Sequence, residues 1–365
     1  MFVTDQPQPH YLYLDSKIVA TAKQICVFFE NGVFSLDTTV LLRYHRHLSQ
    51  LKIVRFFRQH KIKFRYIYRM ADLDKIECGT VFYPFNAASN TRLVANRRLK
   101  HIFVTHGESN KICSIKPIIR IYDIICVAGQ AGIDRYLSAN IFNACDIENG
   151  RVQKVGDIFV GMTGLSQTGT PVILYAPTWE GGIAVQENYS SLSYIQIVTE
   201  SIVQAAQITS MSIILIKPHP NMGHRDKQYI GYLLKIIRIL KEKGLMVLLY
   251  SKNLNISLWQ RYQCKKTTKI VDNLSLYFAK IAFCDISAME TQLLNENIPY
   301  YIFSAEKNKG VKCLDFVHKD NPYAQYYKNA KIVLGENTAE LKGINQDDFV
   351  KLKEYVISSN VQKIV

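Results

Sequence analysis

The chain has 365 residues, 48% hydrophobic and 21% charged, the make-up of a folded protein with more than one core. Lys and Arg outnumber Asp and Glu by 45 to 30, and the net charge of +15 asks for an anionic partner: nucleic acid, an anionic membrane surface or a polyanionic substrate. No run approaches the roughly 18 apolar residues of a membrane-spanning helix, the first residues lack the basic-then-apolar pattern of a signal peptide, and eight scattered cysteines without a CxxC pair speak against a metal site or disulfide scaffold.

In chain order, the first candidate strand is "ICVFF" (Ile25–Phe29). Positive charge is then dense from Arg43 to Arg69, where Leu48, Leu51, Val54 and Phe57 recur at helical spacing. This reads as a basic amphipathic helix followed by a strand, "FRYIYR" (Phe64–Arg69). Two readings of the segment stand side by side: a solvated helix face, or a surface that meets anionic lipid or anionic polymer. Further strands are expected at Thr80–Phe85, His101–His106 and Asp123–Gly129.

A Gly/Thr/Ser-rich break, Gly161–Thr170, divides the chain. Strands resume at Pro171–Thr178, Ser212–Pro220, Leu245–Tyr250, Lys269–Asp272, Ile281–Ser287 and Pro299–Phe303. Helical patterns fill the intervals Ser190–Thr209, Asp226–Gly244, Asn273–Lys280 and Ala288–Asn297, and a last helix is expected near Asn345–Ser358. Such alternation predicts βα units and parallel sheets. The expected architecture is α/β: residues 1–165, residues 166–342, and a terminal helical segment, residues 343–365, that packs back on the first domain. Two doubly wound domains facing one another would form a cleft, and ligands of open parallel sheets bind at the carboxyl ends of strands.

Four polar motifs fall at such strand ends. "HIFVTHGESNK" delivers His106, a flexible Gly107 and the cation of Lys111; an imidazole titrating near neutrality can take a proton from an attacking hydroxyl. In "YAPTWEGG", Pro177 stops the ladder and Thr178 offers a hydroxyl. In "IKPHPN", prolines restrict the backbone around Lys217 and His219, a pair suited to phosphate oxygens. In "FCDISAMETQLLNENIP", Ser287 sits where a helix begins, an N-cap and an anion site at once, and Glu290 or Gln292 lies one turn further on, within reach of ribose hydroxyls. Together they suit transfer from an activated phosphate donor.

With these motifs the sequence resembles the CDP-glycerol glycerophosphotransferase family, the teichoic-acid primases and polymerases with related capsule enzymes. His106, Gly107 and Lys111 match its His-Gly-x-x-x-Lys; Ala176 to Trp179 match Ala-Pro-Thr-Trp; Lys217, His219 and Pro220 match its basic-x-His-Pro strand end. The order holds from about residue 100 to 303. The resemblance implies a GT-B type fold, two Rossmann-like domains around a cleft, the first on the acceptor side and the second binding the nucleotide donor. It implies no metal and no cofactor beyond the donor, CDP-glycerol. His106 would be the general base, and His219, Lys217, Lys111 and the Ser287–Ala288 turn would hold the diphosphate, with Thr178, Glu290 and Gln292 near the nucleotide or its loop. The reaction would pass glycerol phosphate to a hydroxyl of a lipid-linked saccharide or growing polymer and release CMP. The implied setting is cytoplasmic, peripheral on the inner face of the membrane, with an anionic membrane surface as a further contact and no nucleic-acid partner. The chain departs from the family at Ala288, where relatives carry a second serine, and at Gln292, where they carry an aspartate. These departures leave room for a CDP-ribitol donor or for a GT-B glycosyltransferase using a nucleotide sugar.

Overall fold

The computed structural model describes residues 8–105, 107–181, 188–252, 254, 256–304, 323, 326, 330–335, 341 and 346–361. The chain divides into two compact units. The first holds residues up to 106, 115–159 and those from 358; the second holds 107–114 and 160–357.

The first unit is a parallel sheet of seven strands: β1 (His10–Leu14), β2 (Thr39–Arg43), β3 (Phe64–Ile67), β4 (Thr80–Tyr83), β5 (Lys100–Phe103), β6 (Ile124–Val127) and β7 (Val152–Lys154), in the order β3-β2-β1-β4-β5-β6-β7. Helices α1 (Val19–Glu30), α2 (Ser49–Gln59), α3 (Thr91–Val94), α4 (Gln130–Ser138) and α5 (Ala144–Glu148) connect them. Side chains alternate between two cores, one on each face of the sheet. Leu12 and Leu14 join Ile25, Phe28 and Phe57 on one face, while Tyr13 joins Tyr83 and Tyr122 on the other. His101 is fully buried in this sheet, donating from Nε2 to the Asn96 carbonyl and accepting from Tyr83 at Nδ1; burial lowers its pKa, so it is a neutral structural histidine.

The second unit is also a seven-stranded parallel sheet: β8 (Thr170–Ala176), β9 (Ile213–Ile216), β10 (Met246–Tyr250), β11 (Lys269–Val271), β12 (Tyr277–Asp285), β13 (Tyr300–Ser304) and β14 (Lys331–Val333), ordered β11-β10-β9-β8-β12-β13-β14. Its helices are α6 (Ile195–Thr209), α7 (Gln228–Glu242), α8 (Leu258–Thr267), α9 (Ala288–Asn295) and α10 (Gln346–Val356). Two Rossmann-like units in one chain are what a GT-B chain consists of, the fold class expected from the sequence. No helix among the described residues is long and apolar enough to cross a membrane.

Several elements differ from expectation. Ile25–Phe29 lies inside α1: the buried residues Ala22, Ile25, Cys26 and Phe29 have helical spacing, which a five-residue apolar window hides. Strands β1, β2, β7 and β14 were not anticipated. The interval Asn273–Lys280 is not helical, because β12 starts at Tyr277 to pair along all of β8, with a register shift between Ala279 and Ile281. The division falls between Phe159 and Val160 rather than at residue 165, and residues 107–114 count with the second unit. The terminal helix α10, expected on the first domain, counts with the second unit. Its Lys353 donates to the Asn295 carbonyl and to Asn297 in the second unit, and only from Ser358, whose amide donates to the Ala128 carbonyl, does the chain belong to the first.

Leu174, in the middle of the central strand β8, is fully buried. Leu174→Ala should lower the unfolding free energy by about 2–5 kcal/mol, measured by urea denaturation followed by circular dichroism.

Candidate functional site

The second sheet reverses its winding between β8 and β12: strands from β9 to β11 extend to one side and β13 and β14 to the other. At such a reversal the loops leave in opposite directions and open a crevice at the carboxyl ends of the strands. Thr178 follows β8 there, Asp285 ends β12, and Ser287 precedes α9.

Asp285 organises this edge. Its carboxylate is buried and one oxygen, Oδ2, accepts from the amides of Thr178 at 2.7 Å and Ser191 at 3.2 Å. It thereby closes the loop between β8 and α6 at both ends. The Ser190 hydroxyl donates to the Thr178 carbonyl at 2.9 Å, and the Tyr175 and Ser191 hydroxyls are 2.8 Å apart. Burial pushes the Asp285 carboxyl up to about 7, against the opposing pull of the Ser191 and Thr178 hydrogen bonds and the Lys111 charge.

Lys111 reaches this edge because residues 107–114 lie in the second unit. Its ammonium donates to Thr178 Oγ1 at 2.9 Å and sits 5.3 Å from the Tyr189 ring centroid. The rest of the segment runs along the start of α9. Thr291 donates to the Glu108 carbonyl at 3.0 Å, Asn110 Nδ2 is 3.5 Å from Glu290 Oε2, and a Cβ on Gly107 would stand 3.0 Å from the Ala288 methyl. Gly107 has φ +120° and Thr105 has φ +62°, a strained value for a β-branched residue, so the backbone turns sharply after β5. His106, the expected base, lies outside the described residues.

The remaining expected residues divide into two groups. Ser287 caps α9, its hydroxyl accepting from the Met289 amide at 3.3 Å; α9 follows β12, the strand paired with the β8 that leads to Thr178. His219 accepts from the Asn221 amide at Nδ1, which leaves the neutral ring's proton on Nε2, and it stacks on Trp179 with centroids 5.9 Å apart. By contrast, Lys217 donates to the Thr163 carbonyl at 2.7 Å; desolvation lowers its pKa to about 8, with Glu296 opposing. Glu296 in turn holds the amide and hydroxyl of Thr163. Lys217 thus fastens the start of the unit. Glu290 is buried and accepts from the Tyr300 hydroxyl, and Gln292 donates to the Val160 carbonyl.

Two further features carry no sequence signal by spacing. Glu180 is buried and accepts from the amides of Gly223, Arg225 and Asp226, fixing the loop that carries His219. In the first unit, whose winding reverses between β1 and β4, Asp15 follows β1 and accepts at 2.7 Å from Nε2 of His45, which follows β2. A carboxylate on one ring nitrogen leaves the other as acceptor in the neutral ring, the arrangement a proton acceptor needs. Recognising β1 and β2 as strands would have placed both residues at strand ends.

The charge on Asp285 gives a pH test. A carboxyl with a raised folded-state pKa keeps a proton that the unfolded chain releases above 3.8. Its contribution to stability is greatest in acid, declines as pH rises, and levels off above about 7. Asp285→Asn keeps an oxygen for the two amides and removes the charge. The stability difference between variant and wild type, from urea titrations, should therefore move in the variant's favour as pH rises through this window.

No protein-family model and no curated protein matches the chain. Solved structures similar to it include Anabaena HepE in complex with UDP-glucose, at 11% identity over 97% of this chain and 93% of that one, with a TM-score of 0.49. Others are a putative UDP-N-acetylglucosamine 2-epimerase from Listeria monocytogenes (9%, 96% and 88%, TM-score 0.44) and Acinetobacter baumannii MurG (8%, 96% and 96%, TM-score 0.44). At identities and TM-scores this low, none of them bears on what this chain binds or does.

Proposed function

We propose that the chain is a transferase that takes a group from a nucleotide-activated diphosphate donor. The observation that supports this most is the Lys111 ammonium on the Thr178 hydroxyl after β8, at the winding reversal where the neighbouring strand β12 leads into the N-terminus of α9. A cation and aligned amides at one strand edge suit a diphosphate, whose charge they offset. On the family resemblance, the donor is CDP-glycerol. An acceptor hydroxyl gives its proton to His106 and its oxygen forms a bond to the phosphorus bearing glycerol. The bond from that phosphorus to CMP breaks, and CMP leaves with the bonding pair. The acceptor is then a lipid-linked saccharide or growing polymer of a capsule or teichoic-acid type.

A second reading, a nucleotide-sugar donor, is favoured by the residues that depart from the family. Ala288 has no hydroxyl to offer phosphate, and Gln292 is engaged with the Val160 carbonyl rather than turned to a ligand.

Thermal-shift titration with CDP-glycerol, CDP-ribitol and UDP-sugars separates the two, since stabilisation by UDP-sugars alone would discard the CDP-glycerol reading. Lys111→Ala should weaken donor binding by roughly ten- to a hundredfold, the loss of one charge-assisted hydrogen bond. His106→Ala should abolish CMP release while donor binding persists. His45→Gln is its comparison, and full activity in His106→Ala with loss in His45→Gln would move the proton acceptor to the pair with Asp15.

A further inference from the structure

Helix α8 is a well-formed helix that buries only Cys264 among its ten residues. Its start is fixed by a capping box, the Ser257 hydroxyl accepting from the Gln260 amide and the Gln260 side chain from the Ser257 amide. The face it turns to solvent is apolar for its first half: Leu258 is 87% exposed, Trp259 68% and Tyr262 62%. Lys265 and Lys266 continue that face one turn later, at i+7 and i+8 from Leu258. From Ser251 to Val271 the chain has no Asp or Glu, and its cations are Lys252, Arg261, Lys265, Lys266 and Lys269. Beside the helix, Arg238, Lys241 and Glu242 of α7 line a groove with Gln263, Lys266 and Thr267. Lys241 donates to the Thr267 carbonyl at 2.9 Å, which ties the end of α8 to α7.

We propose that α8 docks on an anionic phospholipid bilayer, lying in the surface plane with Leu258, Trp259 and Tyr262 in the boundary between headgroups and acyl chains. Arg238, Lys241 and Lys266 then meet headgroup phosphates. Tryptophan and tyrosine have an apolar body and a polar edge that suit this depth, and flanking cations supply attraction to anionic lipid. Cations outnumber the one acid of the groove, Glu242, which argues for an anionic partner, and the exposed Leu258, Trp259 and Tyr262 beside them argue for one with an apolar layer beneath its charge, as a bilayer has. A soluble polyanion would satisfy the lysines but leave Leu258, the most exposed of the apolar residues, without a partner. The proposal uses neither the donor crevice nor the transfer reading.

The test is cosedimentation of the full chain with vesicles of phosphatidylcholine alone and of phosphatidylcholine mixed with phosphatidylglycerol. Binding is expected to the mixed vesicles, with a blue shift of tryptophan emission that Trp259→Phe removes. Trp259→Ala with Tyr262→Ala, and separately Lys265→Glu with Lys266→Glu, should each weaken it by about tenfold or more, given roughly 1 kcal/mol per surface cation and a similar loss of apolar insertion. All four positions are exposed or at the surface, and circular dichroism checks that the fold is kept. Undiminished binding in both double variants would overturn the proposal, because the basic stretch of the first unit would then carry it. So would binding of polyphosphate, but not of vesicles, that Trp259→Ala leaves intact, or self-association that Trp259→Ala abolishes without any vesicle binding.

Discussion

The hydrogen bonds from the Thr178 and Ser191 amides to one oxygen of Asp285 hold the candidate site in shape. A parallel sheet delivers its strand ends to a common edge but leaves the loops beyond them undetermined. Here a buried carboxylate at the end of β12 gathers both ends of the loop that follows β8, across the line where the winding reverses. The cost is a charged group without water, visible in its raised pKa. Two amides and the nearby Lys111 reduce that cost, and the two amides belong to the loop being held. Stability and placement of the site are thus coupled through one residue.

A second carboxylate works in parallel. Glu180 collects three amides of the loop after β9, and the same loop carries His219 against Trp179. Arg225 lies over the other partner of that stack, 5.5 Å from the Trp179 ring. The imidazole is thus held by packing on one side and by the Asn221 amide at Nδ1 on the other, so tautomer and ring plane are both set by the fold. Positions that a ligand would need fixed in advance are fixed by main-chain amides donating to buried acids.

Much of this edge was legible from the residues. Thr178, His219, Ser287 and Lys111 stand out because each follows an apolar run that ends in proline, glycine or serine, and strand ends in parallel sheets are where ligands sit. The clamps were not legible. Asp285 and Ser191 are far apart in sequence, and nothing in local spacing pairs them. Lys217 looked like a free cation because the carbonyl that accepts its hydrogen bond, Thr163, belongs to the segment that leads into β8. In the first unit the reading failed at Ile25–Phe29 for a different reason: a helix buried along one face and a strand buried on both present the same short apolar run. β1 and β2 were missed as well, and with them the pairing of His45 with Asp15.

Residues 107–114 leave the sequence of the first unit between β5 and β6, serve the second, and return; the chain passes over again after Phe159 and comes back at Ser358. The two units are therefore interlaced along the polypeptide, and no single cut yields both intact. A fragment beginning at Val160 would present an α9 stripped of the Gly107 turn and the Glu108 carbonyl, with Thr178 missing its ammonium neighbour. Synthesis follows the same order: the second sheet emerges from the ribosome after the strip of chain that completes it, so that strip reaches its place in the second unit only once the later half has been made.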